Sequence, residues 1–280
     1  MLKEFHGKVV VITGAAGGIG KATAIEFANR GARIAACDID VEGLRALRAE
    51  MEESGRECYV EAADVSDASQ VERFCRNTYE EMGRVDVLVN NAGGACSGRF
   101  EEMSLEDWRW IVGLNLWGVI HGCHYFYPRM IEQGGGGHIV NIASVAGLVP
   151  LPFASDYCTT KWGVVGFSET LRAEAALHGI GVSAVCPGFV NTGIGRNARI
   201  ADGATEPTEE ERERADRLWA AIGAGPEKPA LTVIRAVEKN VAVARSGFTS
   251  YFMDTAYRSS RRLVGFIAVL LARVNDHFME

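Results

Sequence analysis

The chain has 280 residues, of which 48% are hydrophobic, and its formal net charge at pH 7 is −7. This length allows one α/β domain with a large buried core that needs no disulfide staples. An acidic chain without a dense basic run argues against nucleic acid as a partner. The seven cysteines form no CxxC pair, and the N-terminal segment lacks the apolar stretch of a signal peptide. Both features favour a cytoplasmic protein.

Short apolar runs rich in β-branched residues recur along the first two-thirds of the chain and predict strands. They lie at 8–14, 32–38, 57–64, 85–93, 137–144 and 180–188. Most lack strict alternation, as expected for strands covered by helices on both faces. Segments with helical periodicity, such as 21–30 and 41–53, separate them. This alternation predicts a doubly wound parallel α/β sheet of the Rossmann type, in a single domain spanning 1–280.

A glycine-rich stretch, TGAAGGIG at 13–20, joins the first predicted strand to the first predicted helix. Gly14, Gly18 and Gly20 allow a tight turn close to a pyrophosphate, and the following helix offers its N-terminal N–H groups to that anion. Asp38 ends the second predicted strand, near the ~20-residue offset found in dinucleotide-binding folds. A carboxylate there accepts hydrogen bonds from ribose hydroxyls and repels a 2′-phosphate, so NAD is favoured over NADP.

Tyr157 and Lys161 stand four residues apart in YCTTK, so on a helix they share one face. A free tyrosine has a pKa of about 10 and is protonated at pH 7. A nearby ammonium group and the positive nicotinamide ring of NAD favour the phenolate, so we expect Lys161 and this ring together to lower the pKa of Tyr157 and let it exchange a proton with a substrate. The alternative is an exposed helix pair without a chemical role.

The regular alternation of strands and helices is interrupted at 193–228. There a polar loop precedes a charged helix with a capping box of Thr208 and Glu211. We expect this segment to be a substrate lid. Its apolar side chains would face the substrate: Leu218, Trp219 and Ile222. A further helix is predicted at 227–242, and SGFTSYF at 246–252 predicts a last strand.

An apolar helix is predicted at about 260–275, after a cluster of arginines. Its apolar run is shorter than the ~20 residues that span a bilayer. We expect this helix to pack on the core or on a partner subunit. Contact with a membrane surface, with the arginines at the lipid headgroups, is the less favoured alternative.

Four motifs occur in order: TGAAGGIG, NNAG at 90–93, YCTTK and PGFVNT at 187–192. With them, residues 7–192 resemble the short-chain dehydrogenase/reductase family in its single-domain form. The resemblance implies that Tyr157 is the catalytic acid and base, and that Lys161 also binds the nicotinamide ribose. It further implies that Ser144 donates a hydrogen bond to the substrate oxygen and that Asn115 holds a water in a proton relay.

The same resemblance implies the residues that contact the cofactor, with Asn90 supporting the central strand beside them. They are Gly14, Gly18, Ile19, Gly20, Asp38, Asp64, Val65, Asn91, Ala92, Gly93, Tyr157, Lys161, Pro187, Gly188, Val190 and Thr192. No metal site is expected. HGCH at 121–124 is interpreted as packing within a buried helix, because no second cluster of ligands lies nearby.

The function expected from the resemblance is NAD-dependent interconversion of a secondary alcohol and a ketone. The apolar segment 145–153 and the lid suit a bulky apolar substrate such as a steroid, retinoid, terpenoid or fatty chain, although Arg99 and Arg196 leave a charged substrate open. A 3-oxoacyl-thioester reductase, expected to prefer NADPH, and a non-catalytic NAD-binding scaffold remain as alternatives. The family also implies a homodimer or homotetramer, paired through helical segments 104–131 and 155–178.

Overall fold

In the described part of the chain, nine strands form two parallel sheets. The strands are β1 (Val9–Thr13), β2 (Arg33–Asp38), β3 (Cys58–Ala62), β4 (Val87–Asn90), β5 (Cys96–Ser97), β6 (Gly137–Ile142), β7 (Ile180–Pro187), β8 (Arg199–Ile200) and β9 (Val243–Ser246). The central sheet has the order β3-β2-β1-β4-β6-β7-β9, and β5 pairs with β8 in a separate two-stranded sheet. The computed structural model describes residues 2–195 and 197–279, without the side chains of 215, 216, 218–222, 271 and 274–279.

Ten α-helices are described. They are α1 (Gly18–Ala28), α2 (Val41–Glu53), α3 (Ala68–Met82), α4 (Leu105–Val112), α5 (Gly118–Gln133), α6 (Ser155–Ala175), α7 (Glu209–Ile222), α8 (Glu227–Lys239), α9 (Phe248–Ser259) and α10 (Arg261–Met279). A π-helical segment, Gly113–Trp117, joins α4 to α5. The helices alternate with the strands as predicted, which confirms the Rossmann-type α/β fold in one domain.

Alternate side chains of β1 show why its sequence is apolar throughout. Val9 and Val11 enter one buried cluster, with α3, α5 and α6, while Val10 and Ile12 enter a second cluster on the opposite face, with α1, α2 and α8. All four side chains are fully buried. Both faces of the strand are therefore core, as expected when helices cover both sides of a parallel sheet.

The strand order reverses between β1 and β4. The chain runs outward from β1 to β2 and β3, returns to β4, and then runs the other way through β6 and β7. Crevices at such a reversal, outside the carboxyl ends of the strands, are where ligands bind in open α/β sheets. The glycine-rich stretch leaves the end of β1 at this point.

The last strand predicted at 246–252 is wrong, because α9 begins inside that segment and the strand is β9. The aromatic residues that suggested a strand instead stack one helical turn apart, with the ring centroids of Phe248 and Phe252 separated by 5.9 Å. The Ser250 hydroxyl donates a hydrogen bond of 2.8 Å to the carbonyl of Cys186. This contact with β7 ties the helix to the sheet.

The capping box predicted for the charged helix is present at the start of α7. The Glu211 N–H donates to Thr208 Oγ1 at 3.3 Å, and the Thr208 N–H donates to Glu211 Oε2 at 2.7 Å. Arg196 and the three side chains expected to face the substrate lie outside the described residues. These three side chains are Leu218, Trp219 and Ile222.

Candidate active site

The glycine-rich loop folds tightly on itself at the end of β1. A Cβ on Gly20 would lie 2.0 Å from the Gly14 carbonyl oxygen, and one on Gly14 would lie 2.7 Å from Ala92 Cα. Gly14 and Gly18 also have positive φ, at +66° and +52°, which favours glycine. At Gly17, by contrast, a Cβ would meet nothing within 4 Å. The loop is therefore closed on its inner side and open at Gly17.

The N-terminus of α1 follows this loop without a side-chain cap, and its first turn, which includes Ile19, holds no acidic residue. Uncapped N–H groups and the positive end of the helix dipole suit a bound anion. Together with the open face at Gly17, this arrangement fits the diphosphate of a dinucleotide.

Asp38 lies at the carboxyl end of β2 with its carboxylate held by two backbone donors. Oδ2 accepts a hydrogen bond from the Ala16 N–H at 2.9 Å, and Oδ1 accepts one from the Asp40 N–H at 3.0 Å. No Arg or Lys of the described residues forms an ion pair with it. The carboxylate is thus fixed beside the glycine loop by backbone donors alone among the described residues.

The segment after β4 is attached to the glycine loop by Asn91. Its side-chain Nδ2 donates to the carbonyls of Thr13 and Gly14, each at 2.9 Å. The backbone N–H groups of Asn91 and Ala92 both donate to Thr13 Oγ1 at 3.0 Å. Asn91 therefore fixes the two strand ends that flank the crevice.

Asp64 and Val65 form a turn held against α5. The Asp64 carboxylate accepts hydrogen bonds from the N–H and hydroxyl of Ser66, at 2.8 and 2.7 Å. The Val65 carbonyl bonds to His121 Nδ1 at 2.9 Å, and a Cβ on Gly118 would lie 2.6 Å from Val65 Cγ2. His121 thus has a packing role, and no three His, Cys, Asp or Glu side chains in the described part of the chain could hold a metal.

Asn115 lies in the π-helical segment and faces the loop after β4. Its Oδ1 accepts from the Gly94 N–H at 2.9 Å, and its Nδ2 donates to the Gly94 carbonyl at 3.0 Å. A Cβ on Gly93 would lie 2.9 Å from Asn115 Oδ1 and 3.4 Å from Lys161 Nζ. Single π-helical turns are frequent at functional sites. Here the turn brings Gly93, Asn115 and Lys161 together.

Ser144, Tyr157 and Lys161 meet at the carboxyl end of β6. Ser144 lies beside Tyr157, where its side chain acts to lower the pKa of the phenol. Lys161 is buried, its Nζ lies 5.6 Å from the centroid of the Tyr157 ring, and it donates to the Ile142 carbonyl at 3.1 Å. The four predicted catalytic residues are thus placed in one cluster beside the glycine loop.

The fold by itself moves the pKa of Tyr157 upward, so the lowering expected from Lys161 together with the nicotinamide ring stays a prediction. Burial raises the pKa of Tyr157 to about 12, although the neighbouring Ser144 side chain partly opposes this. Burial also lowers the pKa of Lys161 to about 8. Since removal from water disfavours both charged forms, Tyr157 keeps its proton at neutral pH unless a further positive charge enters the site.

Residues 187–192 cover the glycine loop from the side of β7. The Gly188 N–H donates to the Ser246 carbonyl at 2.9 Å, so Pro187 and Gly188 continue the pairing of β7 with β9. Val190 forms an isolated bridge with Ala224. A Cβ on Gly18 would lie 3.3 Å from Thr192 Cγ2. The segment therefore closes the crevice above the start of α1.

The expected substrate wall at 145–153 is only partly available to a substrate. Four of its apolar side chains are 5% exposed or less and belong to the core: Val145, Ala146, Leu148 and Val149. Phe153 remains 39% exposed, has a φ of +59°, and lies 5.9 Å from the Arg99 guanidinium.

A buried ion pair that sequence reasoning missed joins α4 to the segment after residue 193. The Asp107 carboxylate is fully buried, lies 2.7 Å from Arg199 Nε and accepts from the Asp202 N–H at 3.0 Å. It also completes the capping box of α4 with Ser104. The capping pattern is visible in the sequence, but the partner 92 residues later is not.

Replacing Arg199 by methionine is expected to leave Asp107 buried without its ion-pair partner. Breaking a buried pair in this way costs about 3–5 kcal/mol, so thermal unfolding should lower Tm by roughly 6–12 °C. Arg109→Met is the matched control, since Arg109 pairs with Glu106 on the exposed side of the same helix. If Arg199→Met melts within experimental error of the control, the buried pair does not hold this segment.

Comparisons with known proteins agree with this geometry. A family model described as short chain dehydrogenase matches residues 8–202. The probable oxidoreductase EphD of Mycobacterium tuberculosis is 37% identical over 268 residues, covering 92% of this chain and 45% of EphD. The chain thus spans about half the length of that relative.

A shorter sequence match and a solved structure give two further comparisons. The D-threitol dehydrogenase of Mycolicibacterium smegmatis is 43% identical over 195 residues, covering 70% of this chain and 75% of the relative. The crystal structure of a short chain dehydrogenase/reductase from Burkholderia phymatum in complex with NAD superposes with a TM-score of 0.80 and 34% identity, covering 94% of each chain.

Proposed function

Since the chain belongs to the short-chain dehydrogenase/reductase family of oxidoreductases, we propose that it interconverts a secondary alcohol and a ketone with NAD as the cofactor. The observation that carries this proposal is the cluster of Ser144, Tyr157 and Lys161 beside an open glycine loop. A hydroxyl donor, a proton carrier and a cation at one end of a dinucleotide crevice are the groups that alcohol oxidation needs.

Each of these side chains has a proposed task. Bound NAD would supply the hydride acceptor and a positive ring. Tyr157 takes the proton of the alcohol in oxidation and returns it to the carbonyl oxygen in reduction. Ser144 donates a hydrogen bond to the same oxygen. Lys161 binds the nicotinamide ribose, and Asn115 connects Lys161 to solvent through a water.

The contacts proposed for the cofactor follow the crevice from the glycine loop to the end of β7. Gly14, Gly18, Ile19 and Gly20 would hold the diphosphate, and Asp38 the adenosine ribose. Asp64 and Val65 would lie beside the adenine, and the remaining family positions, from Asn91 to Gly93 and from Pro187 to Thr192, would line the nicotinamide end.

Asp38 supports NAD over NADP. Its carboxylate is fixed beside the loop by the N–H groups of Ala16 and Asp40. A 2′-phosphate on the ribose would bring a second negative charge against it, and like charges placed together cost several kcal/mol. The proposed enzyme therefore oxidises with NAD and discriminates against NADP.

Replacing Asp38 by asparagine is expected to reduce this discrimination by roughly tenfold or more, since each 1.4 kcal/mol corresponds to a factor of ten. The amide keeps one oxygen for the Ala16 N–H but removes the charge. The ratio of kcat/KM for NAD and NADP measures the effect. Asp40→Ser, which keeps an N-cap for α2, is the control and should leave the ratio unchanged. Equal use of both cofactors by the wild type would refute the assignment.

The proposed substrate is a bulky apolar alcohol or ketone, under a lid formed by 193–228. Apolar side chains adjoin the loop after β4, since Gly94 packs so closely that a Cβ there would lie 3.0 Å from Leu114 and 3.2 Å from Trp110. Phe153 adds a partly exposed ring. The similarity to a D-threitol dehydrogenase makes a small polyol the competing substrate class, which the first experiment must separate.

That experiment follows NADH formation by absorbance with a panel of secondary alcohols, from sterols and terpenoids to four-carbon polyols. Turnover of the apolar members supports the proposal, and turnover of polyols alone refutes the apolar substrate class. Reduction of 3-oxoacyl thioesters with NADPH would favour the thioester reductase. Tight NAD binding without turnover of any alcohol or ketone would favour the scaffold.

The pH dependence should differ between the two directions. Because the pKa of Tyr157 is raised, its protonated form, which reduction needs, predominates at neutral pH. Oxidation needs the phenolate, so its kcat/KM should rise by up to about tenfold per pH unit, while that of reduction stays level and then falls. Rate profiles in both directions measure this. A pH-independent oxidation rate would contradict the role of Tyr157.

We also propose a homodimer or homotetramer in which α5 and α6 pair between subunits. Large aromatic side chains are exposed beside and on these helices, with Trp117 51% and Trp162 40% exposed. Light scattering of the purified protein measures the stoichiometry.

A further inference from the structure

The outer face of α10 carries a stripe of large apolar side chains that no described residue covers. Its members are Leu263 (58% exposed), Phe266 (68%), Ile267 (43%) and Leu270 (51%). They occur at positions i, i+3, i+4 and i+7, which share one helix face. The partly buried positions on the opposite face are small or β-branched: Val264, Gly265, Ala268 and Ala272. The helix therefore presents its larger apolar side chains outward.

The same region is strongly basic in an otherwise acidic chain. Residues 255–275 contain four arginines and no aspartate or glutamate, while the whole chain has a net charge of −7. Arg258 pairs with Asp254, and Arg261 lies 5.4 Å from the centroid of the Tyr257 ring. Arg262 and Arg273, three helical turns apart at one edge of the stripe, are in no ion pair of the described residues.

The charges beside the stripe indicate which kind of surface can cover it. A symmetric contact between two copies of α10 would place the same patch on both subunits, so arginine would meet arginine. An anionic lipid surface instead complements the arginines, and its acyl chains accept the apolar stripe. No helix of the described part of the chain is long and apolar enough to cross a membrane, so such a helix would lie in the plane of the surface.

We propose that α10 is a membrane-surface helix that binds anionic bilayers, with the stripe among the acyl chains and Arg261, Arg262 and Arg273 at the phosphates. Although contact with a membrane is the less favoured expectation from the sequence, the outward orientation of the stripe reverses that preference. The inference goes beyond the proposed oxidoreductase function and does not depend on it.

The position of α9 relates this surface to the crevice. α10 packs on α9, and the start of α9 is attached to the end of β7, where the Phe189 N–H donates to Thr249 Oγ1 at 3.3 Å and the Ser250 hydroxyl donates to the Cys186 carbonyl at 2.8 Å. Through α9, a bilayer bound to α10 is thus connected to the edge of the sheet at which the candidate active site opens.

The test is flotation of the full chain with vesicles of phosphatidylcholine and phosphatidylglycerol in equal parts, compared with phosphatidylcholine alone. Binding to the anionic vesicles only, weakened by salt, is expected. The double variant Arg261→Gln/Arg262→Gln should bind about 25-fold more weakly, at roughly fivefold per arginine. Phe266→Glu should bind more than about tenfold more weakly, since it removes a buried aromatic side chain.

Matched controls lie elsewhere on the surface. Leu177→Glu changes an apolar side chain that is 84% exposed, and Arg45→Gln/Arg109→Gln removes two exposed arginines; both should bind like the wild type. Thermal melts establish that every variant is folded. Absence of flotation with anionic vesicles, or equal flotation with neutral ones, overturns the proposal. So does a smaller particle in light scattering for Phe266→Glu with no effect on vesicles, which would make the stripe a subunit contact.

Discussion

Replacing Tyr157 by phenylalanine is expected to lower kcat/KM by roughly 10²–10⁴-fold, the usual contribution of a positioned acid or base. The change removes only the hydroxyl that carries the proton. The ring, which lies 5.6 Å from Lys161 Nζ, and the backbone of α6 are retained. NAD affinity should therefore fall by no more than about tenfold, since one hydrogen bond is worth roughly 0.5–1.5 kcal/mol and the proposed ribose contact is made mainly by Lys161.

Steady-state rates and NAD titration by fluorescence separate these two effects. Tyr59→Phe is the control, because it removes a hydroxyl bonded to Glu61 at 2.6 Å on the edge strand β3, away from the crevice; its activity should be unchanged. A Tyr157→Phe enzyme that keeps a tenth of the wild-type kcat/KM would eliminate Tyr157 as the proton carrier. Equal losses of activity and NAD binding would assign it a binding role instead.

Replacing Gly20 by alanine is expected to disrupt the cofactor loop. The added Cβ would lie 2.0 Å from the Gly14 carbonyl oxygen and 2.5 Å from Asn91 Nδ2, so the loop and the start of α1 must separate. Overpacking of this kind costs about 1–3 kcal/mol or more, and Tm should fall by about 5–10 °C. NAD affinity should fall by roughly 100-fold or more, because two lost hydrogen bonds to a charged group cost about 3–6 kcal/mol.

Gly17→Ala is the matched control in the same loop. Gly17 has φ −157° and ψ −177°, an extended conformation open to any residue, and a Cβ there would meet nothing within 4 Å. Its melting temperature should stay within experimental error of the wild type, since unstrained surface changes cost at most about 0.5 kcal/mol. If Gly20→Ala binds NAD like the wild type, the diphosphate does not lie on this loop.

The regular elements around the crevice were predictable because their signals are local. Apolar runs placed β1, β2, β6 and β7 within about two residues of their observed ends, and α2 was predicted over its observed range. The strand predicted from the aromatic residues at 246–252 is wrong because it also rests on a local signal. Their preference for strands is a local average, whereas contacts between α9 and β7 decide the conformation of that segment.

The candidate site was predictable to the extent that its motifs are short. The i,i+4 spacing of Tyr157 and Lys161 places them on one helix face, and the glycine loop lies where its spacing indicates. The structure brings Asn115 and Ser144 to the same cluster, as the family resemblance implies. The attachment of Asn91 to Thr13, by contrast, depends on two strands being neighbours in the sheet.

The sequence by itself determined the Rossmann-type architecture, the loop suited to a diphosphate and the residue types available for proton transfer, because each depends on spacing along the chain. Only the tertiary structure decided the rest. The direction in which the pKa of Tyr157 moves depends on how much water the fold removes from it, and the ion pair of Asp107 with Arg199 joins residues far apart in the chain. Which face of α10 is left uncovered depends on where α9 packs. Burial and long-range contact are properties of the folded chain, so no local pattern encodes them.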